Sequence, residues 1–72
     1  MRDDNVYRKT EIVGSSSQSL SDAIETAIAR ASKTLRNVEW FEVGDIRGHV
    51  RDGKVAHYQV VVKVGFRLEE PD

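Results

Sequence analysis

The spacing of apolar residues in residues 20–35 predicts one amphipathic helix. Apolar side chains recur there at steps of three and four, the period that places them on one face of a helix. They are Leu20, Ala23, Ile24, Ala27, Ile28, Ala31 and Leu35. Ser19 is the expected N-cap, because its hydroxyl can accept a backbone N–H of the first turn. Asn37 is the expected left-handed residue at the end of the helix.

Three segments have the composition of β-strands. Residues 6–13 alternate in part and are rich in Tyr, Thr, Ile and Val, so we predict a first strand that ends at residues 14–17, a Gly-Ser-Ser-Ser run. Residues 38–50 and 55–68 are predicted as two long strands. Asp52-Gly53 between them is a strong hairpin signal, because a type I′ turn needs positive φ at both central positions. The predicted class is α+β, in the order strand, helix, strand, strand.

The hairpin turn also sets a predicted register, in which Val50 faces Val55 and Glu42 faces Lys63. The opposite charges of the second pair support this register. Because side chains alternate across a strand, one face should carry Phe41, Val43, Val60, Val62, Val64 and Phe66; this is the helix-side face. The opposite face, called the open face, should carry Trp40, Glu42, Gly44, Ile46, Gly48, Val55, His57, Gln59, Val61, Lys63 and Gly65.

Apolar residues on the open face would be unexplained in a monomer, so we expect that face to meet a partner chain, a ligand or both. An indole beside glycines suits a flat ring, although a strand tryptophan more often completes a core, and for Trp40 both interpretations stay open. The Gln59 amide can donate and accept at a ring edge. Arg47 and His49 are predicted on the helix-side face, beyond the helix, with Asp45 nearby. These three are either surface residues or, in an oligomer, ligands of carbonyl or phosphate oxygens.

Composition narrows the class of protein. The chain has 72 residues and no cysteine, so we expect one domain, residues 1–72, with residues 1–5 and 69–72 frayed. A domain this short buries only about 60% of its unfolded surface, and neither a disulfide nor a Cys-ligated zinc can stabilise it. Self-association is therefore expected.

Charge and hydropathy disfavour several classes of protein. Eleven basic and twelve acidic residues give a formal net charge of −1, which disfavours a general nucleic-acid binder. No basic-then-apolar leader is visible, which argues against secretion. No apolar run approaches the roughly 20 residues of a membrane helix. We expect a cytoplasmic protein that binds neither nucleic acid nor membrane.

No catalytic or metal-binding set is predicted. In the predicted register His49 and His57 project from opposite faces, whereas a metal site needs converging ligands. The sequence has no Gly-x-Ser-x-Gly elbow, and the register unites no Ser/His/Asp set. The serine run before the helix lacks the lysine of a phosphate loop. The protein is therefore not expected to be an enzyme.

Five short motifs occur in order along the chain: Val13-Gly14-Ser15-Ser16, Asn37-Val38-Glu39-Trp40-Phe41-Glu42-Val43, Ile46-Arg47-Gly48, Tyr58-Gln59-Val60 and Val64-Gly65-Phe66-Arg67-Leu68. This ordered set resembles the dodecin family, specifically its bacterial branch. The resemblance covers residues 6–69. It implies a β-α-β-β subunit whose three-stranded antiparallel sheet packs around one helix, assembled into a hollow homododecamer.

The resemblance also implies a ligand. Dodecins bind flavins, FMN in many bacterial members, in pairs between symmetry-related subunits. The family's stacking tryptophan falls on Trp40, its flavin-edge glutamine on Gln59, and the arginine of its Ile-Arg-Gly segment on Arg47. The position of His49 is variable in the family. The expected function is storage and photoprotection of FMN or riboflavin.

Some bacterial dodecins also bind coenzyme A on the same shell. Tyr7, Arg30 and Arg67 look like the matching positions. The alternative to a flavin store is a structural or interaction module, or a coenzyme A-binding oligomer without flavin-dependent chemistry.

Overall fold

The computed structural model describes residues 4–69. The chain forms strand β1 (Tyr7–Ser16), helix α1 (Leu20–Ser32), strand β2 (Val38–Arg51) and strand β3 (Lys54–Arg67). The strands make one antiparallel sheet in the order β1-β3-β2, which confirms the predicted α+β class and order of elements. Residues 4–6 and 68–69 have no regular structure, and the rest of the predicted frayed ends lies outside the described residues.

Helix α1 begins as predicted and ends early. The Ser19 hydroxyl accepts the Asp22 N–H at 3.0 Å, so Ser19 is the N-cap. The helix stops at Ser32 because the following backbone tightens into a turn, in which Thr34 and Leu35 both donate to the Ala31 carbonyl. The predicted helix over residues 20–35 is therefore three residues too long.

The core is small and lies between α1 and the central strand. Ala23, Ala27 and Ala31 line the buried side of the helix, opposite the fully buried Val60, Val62 and Val64 of β3. The alanines and Gly14 of β1 let helix and sheet approach closely. A Cβ at Gly14 would collide with the backbone carbonyl of Ala23.

The helix packs on β1 and β3 and leaves most of β2 uncovered, apart from Val38, which packs against the core. Phe41, Val43 and Ile46 on the helix-side face of β2 are consequently 49%, 43% and 56% exposed. The expectation that Phe41 and Val43 pack on the helix is therefore wrong within one chain. The reason is geometric, because a single helix packed over the β1–β3 pair cannot also reach the far edge strand.

The predicted hairpin register is correct next to the turn and from Trp40 to Val43, and wrong between these two stretches and at Val38, which pairs with Phe66. Asp52 and Gly53 both have positive φ, as a type I′ turn requires, and Glu42 pairs with Lys63 as predicted. Between Val43 and Ile46, however, β2 contains one extra residue, a β-bulge. A one-residue slip moves the following side chains to the other face of the sheet.

Because of the bulge, four residues lie on the face of the sheet opposite to the one predicted. Ile46 pairs with Val60 and Gly48 with Tyr58, so both lie on the helix-side face. The other two, Arg47 and His49, lie on the open face, where they pair with Gln59 and His57 respectively. The two imidazole centroids are 6.3 Å apart, so the prediction that the histidines project from opposite faces is wrong. A second shift between His49 and Val50 restores the original register.

The long hairpin makes the molecule elongated, with principal extents of 57 × 20 × 14 Å. Strands β2 and β3 have 14 residues each and α1 has 13. Because a strand rises about twice as far per residue as a helix, the hairpin extends well past the end of α1. Within residues 4–69, no helix has both the length and the hydropathy needed to cross a membrane.

Candidate functional site

The open face is formed by alternate residues of all three strands. The register of β1 with β3 places Tyr7 beside Arg67, Lys9 beside Gly65 and Val13 beside Val61. The register of β2 adds Trp40 beside Gly65 and Arg47 beside Gln59. Trp40, Gln59 and Arg47 therefore lie on the same face of the sheet.

Trp40 lies on the surface of the sheet. Its indole covers Gly65, since a Cβ at that glycine would lie only 2.2 Å from an indole carbon. The Tyr7 ring contacts the indole at a centroid distance of 5.8 Å and an interplanar angle of 61°. Trp40 is half-buried, so part of the indole stays accessible at the surface of the sheet.

Glu39 connects all three strands next to Trp40. The Tyr7 hydroxyl donates to Glu39 Oε1 at 2.9 Å, and Arg67 Nε donates to Oε2 at 3.0 Å. Sequence reasoning missed Glu39, because simple alternation places it opposite Trp40. A second bulge in β2, between Val38 and Trp40, brings its carboxylate to the Tyr7–Arg67 pair.

As the pH is lowered, Glu39 is expected to take up its proton at a lower pH than an unperturbed glutamate does. The hydrogen bonds from Arg67 and Tyr7 lower the pKa of Glu39 below 4.5. A carboxylate with a depressed folded-state pKa contributes stability that is fully present above its unfolded pKa and is lost as the pH falls through the folded one. An NMR titration of the Glu39 carboxyl from about pH 6 to about pH 2 measures this. A midpoint at or above 4.5 would contradict the expectation.

The same contact shifts the pKa of Tyr7 in the opposite direction. The hydrogen bond to Glu39 raises the pKa of Tyr7 above 10.0. A raised folded-state pKa contributes stability that is present below the unfolded pKa and is lost as the pH rises through the folded value. Across the neutral range, therefore, Glu39 is a carboxylate and Tyr7 is a phenol that donates to it.

A second group of candidate residues lies farther along the open face. Asp45, Arg47 and Gln59 line a small cavity of about 80 Å³ together with Val13, Val60 and Val61. The bulge between Val43 and Ile46 is what turns Arg47 towards Gln59. His49 lies beyond this cavity, towards the hairpin turn. No group of three or more His, Cys, Asp or Glu residues within residues 4–69 could hold a metal ion.

The two groups are well separated within one chain. Gly65, under Trp40, and Gln59 are six residues apart on β3, which corresponds to about 20 Å along the strand. Between them Lys9 and Glu42 form an ion pair at 3.0 Å. One subunit therefore cannot place Trp40 and Gln59 against the same planar ring.

The structure unites only two of the three candidate coenzyme A residues. Tyr7 and Arg67 are direct cross-strand partners. Arg30 lies on α1, on the helix side of the sheet, where it lines a groove of about 610 Å³ between α1 and β1. Threonines, alanines and Leu35 line much of the rest of this groove.

Comparisons with known proteins agree with this fold and these motifs. The family model for Dodecin matches residues 6–69. A curated dodecin from Thermus thermophilus is 57% identical over 65 residues, which are 90% of this chain and 94% of that protein.

Two solved structures are similar along almost their whole length. Dodecin from Streptomyces coelicolor is 50% identical, with a TM-score of 0.88, over 97% of this chain and 100% of that one. Dodecin from Streptomyces davaonensis is 53% identical, with a TM-score of 0.86, over 92% of this chain and 97% of that one. Because sequence and fold match over nearly the full described chain, the protein belongs to the dodecin family.

Proposed function

We propose that this protein binds FMN or riboflavin as a homo-oligomer and stores it, with the flavin ring stacked on Trp40. The observation that carries the proposal is the half-buried indole lying over Gly65 on the open face, with the Tyr7 ring at its edge. Offset stacking of flat aromatic rings is a favourable arrangement for such a platform. Membership in the dodecin family supports the choice of a flavin over other planar ligands.

The flavin site is composite. The separation of about 20 Å between Trp40 and Gln59 in one chain is longer than the three-ring system of a flavin. The glutamine at the ring edge must therefore come from a second copy of the chain. A two-fold axis near the indole would bring two Trp40 platforms together and allow a pair of flavins between them.

The residues around the second group suit the polar parts of a flavin. The Gln59 amide can donate to and accept from the ring edge. The Arg47 guanidinium can bind carbonyl or phosphate oxygens with two parallel N–H groups. Asp45 borders the same cavity and His49 lies beside it. A flavin held against an electron-rich indole loses its excited state quickly, which suits storage and photoprotection rather than turnover.

A titration of FMN with the purified protein tests this proposal. Flavin fluorescence is expected to be quenched to saturation, with a stoichiometry near one flavin per chain. The visible absorption spectrum of the protein as purified is an independent readout, since bound flavin absorbs in the visible range. Fluorescence that does not change over the whole titration would refute the proposal.

We propose that the oligomer is a dodecamer in which neighbouring subunits cover the apolar surface of β2. Phe41, Val43 and Ile46 form an exposed apolar row on the helix-side face. A contiguous exposed apolar row typically marks a protein–protein contact. The β1–α1 groove is a second uncovered surface that another copy can fill.

Val43→Glu is expected to break the assembly while leaving the subunit folded. Val43 is 43% exposed in one chain, so a glutamate there remains hydrated in the monomer but would be an unpaired buried charge in the oligomer, which is costly. Size-exclusion chromatography with light scattering measures the mass, and far-UV circular dichroism checks the fold.

The matched control for the assembly is Val6→Glu. Val6 is 65% exposed and precedes β1, so the same change there should leave the mass of the particle unaltered. A Val43→Glu variant with the wild-type mass would show that this row is not a subunit contact.

Two further expectations stay predictions. Coenzyme A binding is favoured by the adjacency of Tyr7 and Arg67, but both are engaged with Glu39, and Arg30 lies on the other side of the sheet. A cytoplasmic location rests on the sequence alone.

A further inference from the structure

We propose that Glu39 is a positioning residue for Trp40: by holding Tyr7 through its hydroxyl, Glu39 fixes the indole in the orientation that a stacking ligand needs. The proposal goes beyond the expected flavin-contact residues, and its effect on ligand binding rests on the proposed function. Its effect on the indole itself does not.

Each carboxylate oxygen of Glu39 accepts a hydrogen bond from a different strand. Oε1 accepts from the Tyr7 hydroxyl at 2.9 Å, and Oε2 accepts from Arg67 Nε at 3.0 Å. Tyr7 and Arg67 are themselves cross-strand partners on β1 and β3. One side chain of β2 thus connects the two other strands at the position where Trp40 lies.

Trp40 is held from two directions. The sheet supports it at Gly65, where the missing side chain leaves room for the indole. The Tyr7 ring holds it laterally, in an edge contact at 5.8 Å. Trp40 lies outside the core cluster of residues 4–69, and the Tyr7 contact is the one ring contact that restrains it within those residues.

The energetics favour orientation over stability as the role of this cluster. Glu39 and Arg67 retain 39% and 37% of their side-chain exposure, and ion pairs as exposed as this contribute little net stability because water screens them. The pair is nevertheless more sheltered than Lys9–Glu42, at 51% and 54%, and Arg36–Glu69, at 81% and 61%. The lowered pKa of Glu39 keeps the acceptor ionised throughout the neutral range.

The test is Glu39→Gln, read through the single tryptophan of the chain. The amide keeps the size of the side chain, but it carries no charge and offers one acceptor oxygen where the carboxylate offers two, so the charge-assisted hydrogen bonds from Tyr7 and Arg67 cannot both be kept. The long-wavelength tryptophan band in near-UV circular dichroism is expected to lose most of its intensity. FMN affinity is expected to fall roughly tenfold, the size of one offset-stacked aromatic contact, in a particle of unchanged mass.

Glu42→Gln is the matched control. It removes a carboxylate from the same strand and the same face, and the ion pair that it breaks has the same 3.0 Å length. Its tryptophan band and FMN affinity should equal those of the wild type. If the tryptophan band of Glu39→Gln is as intense as that of Glu42→Gln, the positioning role of Glu39 is refuted.

Tyr7→Phe decides the case if Glu39→Gln fails to fold. It keeps the ring against Trp40 and removes only the hydroxyl that Glu39 holds, so the tryptophan band should again weaken. An unchanged band in Tyr7→Phe would overturn the proposal. Failure of the wild type to bind FMN would refute the proposed function, while the comparison of tryptophan bands would still decide the role of Glu39.

Discussion

Trp40→Ala is expected to abolish most flavin quenching while leaving the mass of the particle unchanged. Stacking on an aromatic side chain is worth about 1–3 kcal/mol per planar base, so the flavin affinity should fall roughly 10- to 100-fold. The fold should survive, because the indole lies on the open face over Gly65 and outside the core cluster. Fluorescence titration with FMN measures the affinity, and light scattering measures the mass.

Two companion variants separate ring area from ring position at this site. Trp40→Phe keeps a smaller platform and should retain part of the affinity. Gly65→Ala leaves Trp40 intact but places a Cβ where the indole lies, so it should weaken flavin binding by displacing the platform. A Trp40→Ala protein that dissociates into smaller species would favour the alternative in which the open face makes only subunit contacts. Wild-type flavin affinity in Trp40→Ala would refute the stacking role.

Gly14→Ala is expected to destabilise the fold strongly. The added Cβ would overlap the carbonyl oxygen of Ala23 and lie 3.0 Å from the Ala27 Cβ. Because the obstacle is helix backbone and not the end of a flexible side chain, α1 has to move away from β1. Overpacking of this kind costs about 3 kcal/mol, which should lower the midpoint of thermal unfolding by more than about 10 °C for a domain of this size.

The control for Gly14→Ala is Gly44→Ala. A Cβ at Gly44 would lie 3.2 Å from a methyl group of Val61, which can adjust by a few tenths of an ångström. The unfolding midpoint should therefore change little. Both variants are compared by calorimetry at one protein concentration, since subunit association contributes to the measured stability. Equal midpoints for the two variants would show that α1 and β1 pack less closely at Gly14 than the contact with the Ala23 carbonyl indicates.

The sequence was sufficient to predict the elements because each one has a local signal. The three- and four-residue steps after Leu20 define a helix, Ser19 caps it, and Asp52-Gly53 fixes the hairpin turn. These signals depend on residues near each other in the chain. The family motifs then supplied the ligand class, which no local pattern contains.

The parts that could not be predicted depend on backbone irregularity and on packing across the sheet. The bulge between Val43 and Ile46 has no hydrophobic signature, although a glycine within a strand, here Gly44, often marks such a site. Without the bulge Arg47 could not be placed beside Gln59. Glu39 was missed for the same reason, since a bulge beside Trp40 turns its carboxylate towards Tyr7. The uncovered Phe41 follows from the strand order, in which β2 lies at an edge.

The two register shifts that flank residues 46–49 have opposite senses, one adding a residue to β2 and the other to β3. The side chains of residues 46–49 therefore lie on the faces opposite to those predicted from the turn, while the pairs on either side keep the register that the turn sets. The two shifts cancel, so the bulge that brings Arg47 beside Gln59 still leaves Trp40 aligned with Gly65. With the β2 shift alone, the register set by the turn would align Trp40 with Val64 instead.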